Sequence, residues 1–490
     1  MEHALYWNEV AIEANRLSFT NLKEGEVPEQ GGPTLGSRAL GIIHLAMHDA
    51  YKGISGTSKF DFYLTPALQP AIPNLTGIDR QKASETAIAA AAHSTLVALY
   101  PKSKSYFDER LNSLPDILEF QQAYQYGCEI ATTILELRKH DPGNSDAGYN
   151  PPIGRGEYKS DPNNAEPKFL GPFYGKSKLF STSKRYELTN QPFTINGTFN
   201  SNDPEYKRAF EQVKIKGIAT EQMGTLAPTD DKRTSEESLI GVYWAYDGAR
   251  NIGTPPRLYN QIVRVVAKEN TNLIGFSNLT ERNIRLFALV NVAMADAGIL
   301  AWEEKYRHNL WRPINGIREH DNSMGESGTP TSNFNADCDP FWLPLGAPKS
   351  NIEKPNFTPD FPAYPSGHAT FGASSLHITR LFFGIPLGDR KKDNLFNGYE
   401  FTSDELNGIT KDNNSTIRPF HKRKFDNGLW EMIVENALSR IYLGVHWSFD
   451  AFKTKSDNKT PDLDKKTGGV DLGISIAEDI FTNGLKQSNT

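Results

Sequence analysis

Long hydrophobic runs are missing from this 490-residue chain: no stretch of about eighteen consecutive apolar residues occurs, so no membrane-spanning helix is expected. Basic charge is not in excess either. Fifty-three Lys and Arg against 59 Asp and Glu leave a net charge of −6, which argues against nucleic acid as the partner. Cysteine is scarce, and the two present, Cys128 and Cys338, have no zinc or redox spacing and cannot build a disulfide framework. Cys128 falls in a helical pattern, where a buried small hydrophobe is expected. The opening residues "MEHALYWNEVAIEANRLSF" lack a basic region followed by an apolar core. No secretory signal is therefore expected, and an exported protein would be a mature form or use another route.

Period-two alternation is also scarce, whereas apolar residues recur at three- and four-residue spacing throughout. This predicts helices over 35–54, 79–100, 115–140, 236–250, 256–269 and 282–309. Others are expected from Pro365 to about Phe383, over roughly 426–443 and over 470–481. Between them, 141–203 and 314–364 are crowded with Pro, Gly, Asn and Ser and read as long irregular excursions. The expected fold is all-α, helical bundles with long irregular connections, two four-helix bundles packed together. It is read as one unit of 490 residues, with halves of about 1–235 and 236–490 and the chemistry in the second.

That chemistry begins with "FPAYPSGHATFGAS" (361–374). Pro359, Pro362 and Pro365 disfavour helix before themselves, so a helix can begin only at about Pro365, with Ser366, Gly367 and His368 in its first turn. The unpaired N–H groups there, and a glycine that lets a ligand come close, suit an anion. An ordinary Ser-capped helix start would explain the segment alone. Two further islands lie at helix ends: "KYRHNLWRP", with Lys305 and Arg312, and "SRIYLGVHWSFD", with Arg440, His446 and Asp450. Singly, each has a bland account as a solvated charge, surface ion pair or core histidine. Together they supply three cations with directed donors for a tetrahedral oxyanion, two neutral donors, and two histidines, one to bond the central atom and one to move a proton.

Written as KxxxxxxRP (Lys305 to Pro313), PSGH (Pro365 to His368) and SRxxxxxHxxxD (Ser439 to Asp450), this pattern resembles the three-part signature of a superfamily. It joins vanadium-dependent haloperoxidases with type 2 phosphatidic acid phosphatases and bacterial acid phosphatases. "SRALGIIHLAMHDAY", "YWAYDGARNIGTPPRLYNQIVR", "DPFWLPLGAP" and "GISIAEDIFTNGLK" extend the likeness, in order along most of the chain, to the fungal vanadium chloroperoxidases.

The resemblance implies vanadate as the cofactor, with no haem or flavin, bonded to His446. Its oxygens would be held by Lys305, Arg312, Ser366, Gly367 and Arg440. His368 would exchange protons with the apical hydroxide and incoming hydrogen peroxide, and Lys305 would draw charge from the bound peroxide. Asp247 would steady Arg440, and Asp450 would orient His446, unless it is a plain helix-start carboxylate. Phe361 and Trp302 would form an apolar halide wall, unless they are simply core. The implied activity is oxidation of bromide, iodide and chloride to hypohalous acid, which halogenates small organic acceptors. The same cage would suit a soluble acid phosphatase with a phosphohistidine intermediate. A non-catalytic oxyanion binder is a third reading, and it has no evident need of two histidines. A monomer is expected, though the residues do not fix it.

Overall fold

The computed structural model describes residues 2–490 apart from 21, 23–25, 57, 115–118, 165–167, 189–193, 196–197, 320–338, 455–460 and 463–466. Cys338, the start of the helix expected over 115–140, and parts of both irregular excursions lie outside the described residues. The described helices are α1 (His3–Ser18), α2 (Gly32–Ser55), α3 (Arg80–Leu99), α4 (Lys104–Asn112), α5 (Gln121–Arg138), α6 (Pro204–Lys216) and α7 (Ser235–Tyr243). They continue with α8 (Pro255–Glu269), α9 (Leu279–His308), α10 (Pro313–Arg318), α11 (Gly367–Phe382), α12 (Gly428–Tyr442) and α13 (Gly468–Asn483). Among the described residues, strands occur only as three two-stranded antiparallel hairpins, with two or three residues in each strand. The fold is mainly helical rather than strictly all-α.

The centre is α9. It packs on α2 on one side and on α11 and α13 on the other, while α2 also packs on α3 and α5, and α11 on α12 and α13. The two groups of helices thus share a member. By length and composition α9 could cross a membrane, yet its apolar window is wholly buried inside the protein. Each fully buried Leu, Ile or Met contributes roughly 1.5–3 kcal/mol relative to exposure, so α9 anchors both groups. Two polar residues interrupt its apolar run, and both are tied. Asn291 exchanges side-chain hydrogen bonds with Asn260 of α8 (2.8 and 3.1 Å). Asp296 accepts the backbone N–H groups of Phe180, Ser181 and Thr182, which pins the irregular 141–203 segment to the core.

Three expectations need correction. Cys128 is half-buried rather than buried, because it sits on the outer flank of α5, 3.5 Å from Ser94 Oγ. The helix expected over 236–250 stops at Tyr243: Tyr246 (φ 45°) and Gly248 (φ 77°) are left-handed, and the chain turns out of the helix there. Finally, α11 begins at Gly367, with Ser366 as its cap rather than in its first turn.

Candidate active site

All three islands converge: Gly367, His368, Arg440 and His446 line the inner end of one cavity of about 630 Å³, Arg312 bonds His446, and Lys305 Cε lies next to Gly367. Local sequence explains the convergence. Asn309 ends α9 in a left-handed conformation (φ 44°), which turns the chain so that Arg312, capping α10, lies beneath Lys305 of the last turn of α9. From the third side, α13 presses on the start of α11. A Cβ at Gly469 would lie 2.4 Å from Ser366 O, so only glycine fits that crossing.

At the centre, His446 Nε2 lies 2.9 Å from Arg312 Nη1, and its Nδ1 lies 2.7 Å from Asp450 Oδ2. A guanidinium can only donate, so Nε2 accepts and Nδ1–H donates to Asp450. Burial, with Arg312, Lys305 and Arg440 nearby, holds the His446 pKa well below its ordinary value. The ring is neutral, with its lone pair turned into the cage. Asp450 also accepts Trp447 N–H (2.9 Å), so it caps the short turn at Ser448–Asp450 as well as orienting the imidazole. Burial pushes the Asp450 pKa up, against the pull of Lys305 and Arg312.

The cations differ in how far the protein satisfies them. The Lys305 ammonium donates to the carbonyls of Pro362, Ala363 and Pro365, and all three of its hydrogens have acceptors. Burial, followed by the charge of Arg312, lowers its pKa well below the lysine value. Arg312 donates to Phe361 O and Val445 O, but its Nη2 is buried and has no partner among the described residues. Arg440 forms a two-pronged pair with Asp247 (2.9 and 3.1 Å), while its Nε is likewise buried without a partner. Leaving such a donor unsatisfied costs about 1–3 kcal/mol or more, unless a ligand accepts from it.

His368 Nε2 lies 2.6 Å from the carbonyl of Ala245 and must donate, which leaves the basic lone pair on Nδ1. Burial and the charge of Arg440 push its pKa down to about 3. Ser366 receives only a long contact from Ala369 N–H (3.4 Å), so its hydroxyl is weakly engaged as a cap. A Cβ at Gly367 would point between Trp302 (3.4 Å) and Lys305 Cε (3.9 Å), which makes Gly367 a cradle on the cavity side. Trp302 is buried and Phe361 half-buried; their rings are 4.7 Å apart, and both line the cavity. Phe361 also lies within 5.1 Å of Lys305 Nζ and 4.9 Å of Arg312 Cζ, so the wall is a cation–π face as well as core.

The structure thus brings every residue of the expected set together. A tetrahedral oxyanion fits the cage. Two guanidinium groups with an unpaired donor each, Gly367 and a neutral imidazole lie close together, and among the described residues no cluster of three His, Cys, Asp or Glu offers a rival cation site. Sequence reasoning missed the supports. Tyr259 and Asn436 both donate to the His368 carbonyl (3.1 and 2.8 Å), and a Cβ at Gly372 would lie 2.3 Å from the Asn436 amide. Lys349, in the cavity wall, was also missed, because a lone lysine in an irregular segment reads as solvated.

Comparison with known proteins matches residues 1–176 to the vanadium chloroperoxidase N-terminal domain and 285–456 to the VCPO second helical-bundle domain. The vanadium chloroperoxidase of Curvularia inaequalis is 33% identical over 99% of this chain and 90% of its own. The chain belongs to the vanadium chloroperoxidase family. Its fold is similar to that of a bacterial vanadium-dependent iodoperoxidase (TM-score 0.63, 18% identity, 97% of this chain and 96% of that one). The apo-type structure of a bacterial vanadium-dependent chloroperoxidase is also similar (TM-score 0.60, 14% identity, 93% and 95%). The chain is a vanadium-dependent haloperoxidase homologue.

Proposed function

We propose that this member of the family is a vanadate-dependent haloperoxidase that uses hydrogen peroxide to oxidise iodide, bromide and chloride, releasing hypohalous acid to organic acceptors. The reading is carried by the unsatisfied donors of Arg312 and Arg440 beside the neutral His446 ring. Vanadate would bond to His446 Nε2, with Lys305, Arg312, Arg440, Ser366 and the Gly367 N–H around its oxygens. When bound, it supplies a Lewis-acidic centre that activates hydrogen peroxide toward attack by halide.

The remaining work falls to the chain. Asp450 holds the His446 tautomer, and Asp247 holds the plane of Arg440. Arg312 Nη1, which spends its hydrogen on Nε2, is free to turn it to a ligand oxygen once that lone pair is used. His368 Nδ1 is the proton acceptor for peroxide entering and the donor for hydroxide leaving. An anion in the cage offsets Arg440 and raises the affinity of His368 for a proton, so base and ligand are coupled. Lys305, already fixed by three carbonyls, is a stationary charge that needs no reorganisation. Phe361 and Trp302 form an apolar wall on which a chloride would be less hydrated. Residues 1–490 act as one unit in this reading, with the cage in the half after about residue 236. The two-bundle description applies if α9 is assigned to one group.

Purified protein is incubated with orthovanadate and hydrogen peroxide, and halogenation of a dione reporter is followed with chloride, bromide and iodide in parallel, alongside phosphate-ester hydrolysis by the metal-free form. Vanadate-dependent halogenation supports the reading and ranks the halides. Ester hydrolysis with no halogenation at any pH would assign the cage to phosphate instead.

A further inference from the structure

The cavity is far larger than the inner chemistry requires. A water occupies about 30 Å³ of liquid, so an oxyanion, a halide and a peroxide together fill on the order of six such volumes. A space of about 630 Å³ leaves most of its length over, in the range of sites that enclose small organic molecules. That outer length is mostly apolar, walled by Val27, Pro28, Leu35, Leu170, Pro255 and Phe357, with Glu29, Asn144 and Asp360 also in its lining, and it opens to solvent past Val27, which is 77% exposed.

One cation stands in this wall outside the cage. Lys349 is half-buried, and its ammonium lies 3.7 Å from the centroid of Phe357. No hydrogen bond or ion pair to that ammonium occurs among the described residues; the backbone N–H of Lys349 is the group that bonds Asn356. Two carboxylates are close enough to act on its charge, those of Asp360 and Asp247. Asp247 is committed to Arg440, and Asp360 lies beyond ion-pair reach. A surface lysine would be hydrated, and a structural lysine would be paired, as Lys305 is by its carbonyls. Lys349 is neither, and it faces a ring in the wall of an apolar channel that ends at His368 and His446.

We propose that the outer channel binds the organic acceptor, and that Lys349 selects an electron-rich aromatic compound bearing an oxyanion, a carboxylate or an ionised hydroxyl. The aromatic body lies against Phe357 and the aliphatic wall, the oxyanion meets the ammonium, and the free ring edge faces the inner cage. Hypohalous acid formed at the inner end then meets the acceptor before it meets bulk water. The ring carbon takes the halogen, and the ring proton and the hydroxide leave together as water. The chemistry in this proposal rests on the haloperoxidase reading; the binding does not.

The test is a fluorescence titration of the protein, with vanadate present and peroxide absent, using 1-hydroxy-2-naphthoate and its uncharged methyl ester. Saturable binding of the acid is expected. Lys349→Met should weaken it by about tenfold or more, with little change for the ester, and Lys349→Arg should restore most of it. A structural fault would weaken both probes alike, so equal losses would overturn the proposal. No saturable binding by the unaltered protein, or equal affinity for the acid in K349M, would overturn it too. Triiodide formation by the unaltered protein is measured in parallel. If it is absent, the haloperoxidase reading fails, while the charge-selective binding remains readable.

Discussion

The two ends of α11 hold similar parts in opposite states. At the C-terminal end, Arg380 is fully buried, and its donors go to Asp393 (2.6 Å), His377 Nδ1 (2.9 Å) and the carbonyls of Asp389 and Lys391 (2.9 Å each). At the N-terminal end, Arg312 and Arg440 are equally buried, yet each keeps a nitrogen without an acceptor. Burial of arginine beside histidine does not distinguish a site from a strut. A leftover donor alone does not either, because Arg257 and Arg423 also bury an Nε without a partner; what sets the N-terminal end apart is that two such arginines, Arg312 and Arg440, stand close to one histidine, His446.

This contrast can be broken first at His446. Changing it to Ala should reduce vanadate uptake on the order of a hundredfold or more, measured by equilibrium dialysis, with helical circular dichroism intact; undiminished uptake would mean that the leftover donors alone hold the ligand. The converse test is Arg380→Met. It breaks a buried, fully paired group and should cost about 3–5 kcal/mol in denaturant unfolding, while the folded protein still binds vanadate.

A third test uses pH. In the folded chain the pKa of His368 is about 3, against 6.5 for the free group. Between those values only the unfolded chain binds the proton, so this stability is fully present above pH 6.5 and is lost as pH falls toward 3. His368→Gln should flatten the fall by a few kcal/mol, read as the slope of unfolding free energy against pH. His377→Gln should flatten it less, because Glu478 supports the protonated form of His377. The smallest effect is expected from Asp247→Asn, which keeps the shape but frees Arg440. Vanadate affinity should fall about tenfold, and an unchanged value would remove Asp247 from the positioning of the cage.

The cage could be read from sequence because its groups sit at fixed offsets from helix ends, and helix ends are marked by local chemistry: Asn309 after α9, Ser366 before α11. Helices with long apolar periodicity were equally readable. The helices α1, α4, α6 and α10 were not assigned from sequence, and α10 lies largely within the 314–364 stretch that reads as irregular. The residues of α1 were weighed only against a secretory-signal pattern, and α6 follows directly on a breaker-rich segment, where its cap Asp203 reads as one more loop residue. Tertiary contacts carried the rest. No local signal shows that Asp296 would gather three backbone N–H groups from over a hundred residues away, that 244–250 would leave the helix to bring Ala245 and Asp247 to the site, or that Lys349 would end in a channel.

The contact between Gly372 and Asn436 has a mechanical consequence. Asn436 bridges α12 to the His368 carbonyl through a gap that has no room for one added methyl group. Gly372→Ala would act as a wedge between the two helices and lift the His368 ring off its seat from a full turn away. The spacing of α11 and α12 is therefore a gauge for the site, set by a residue with no side chain.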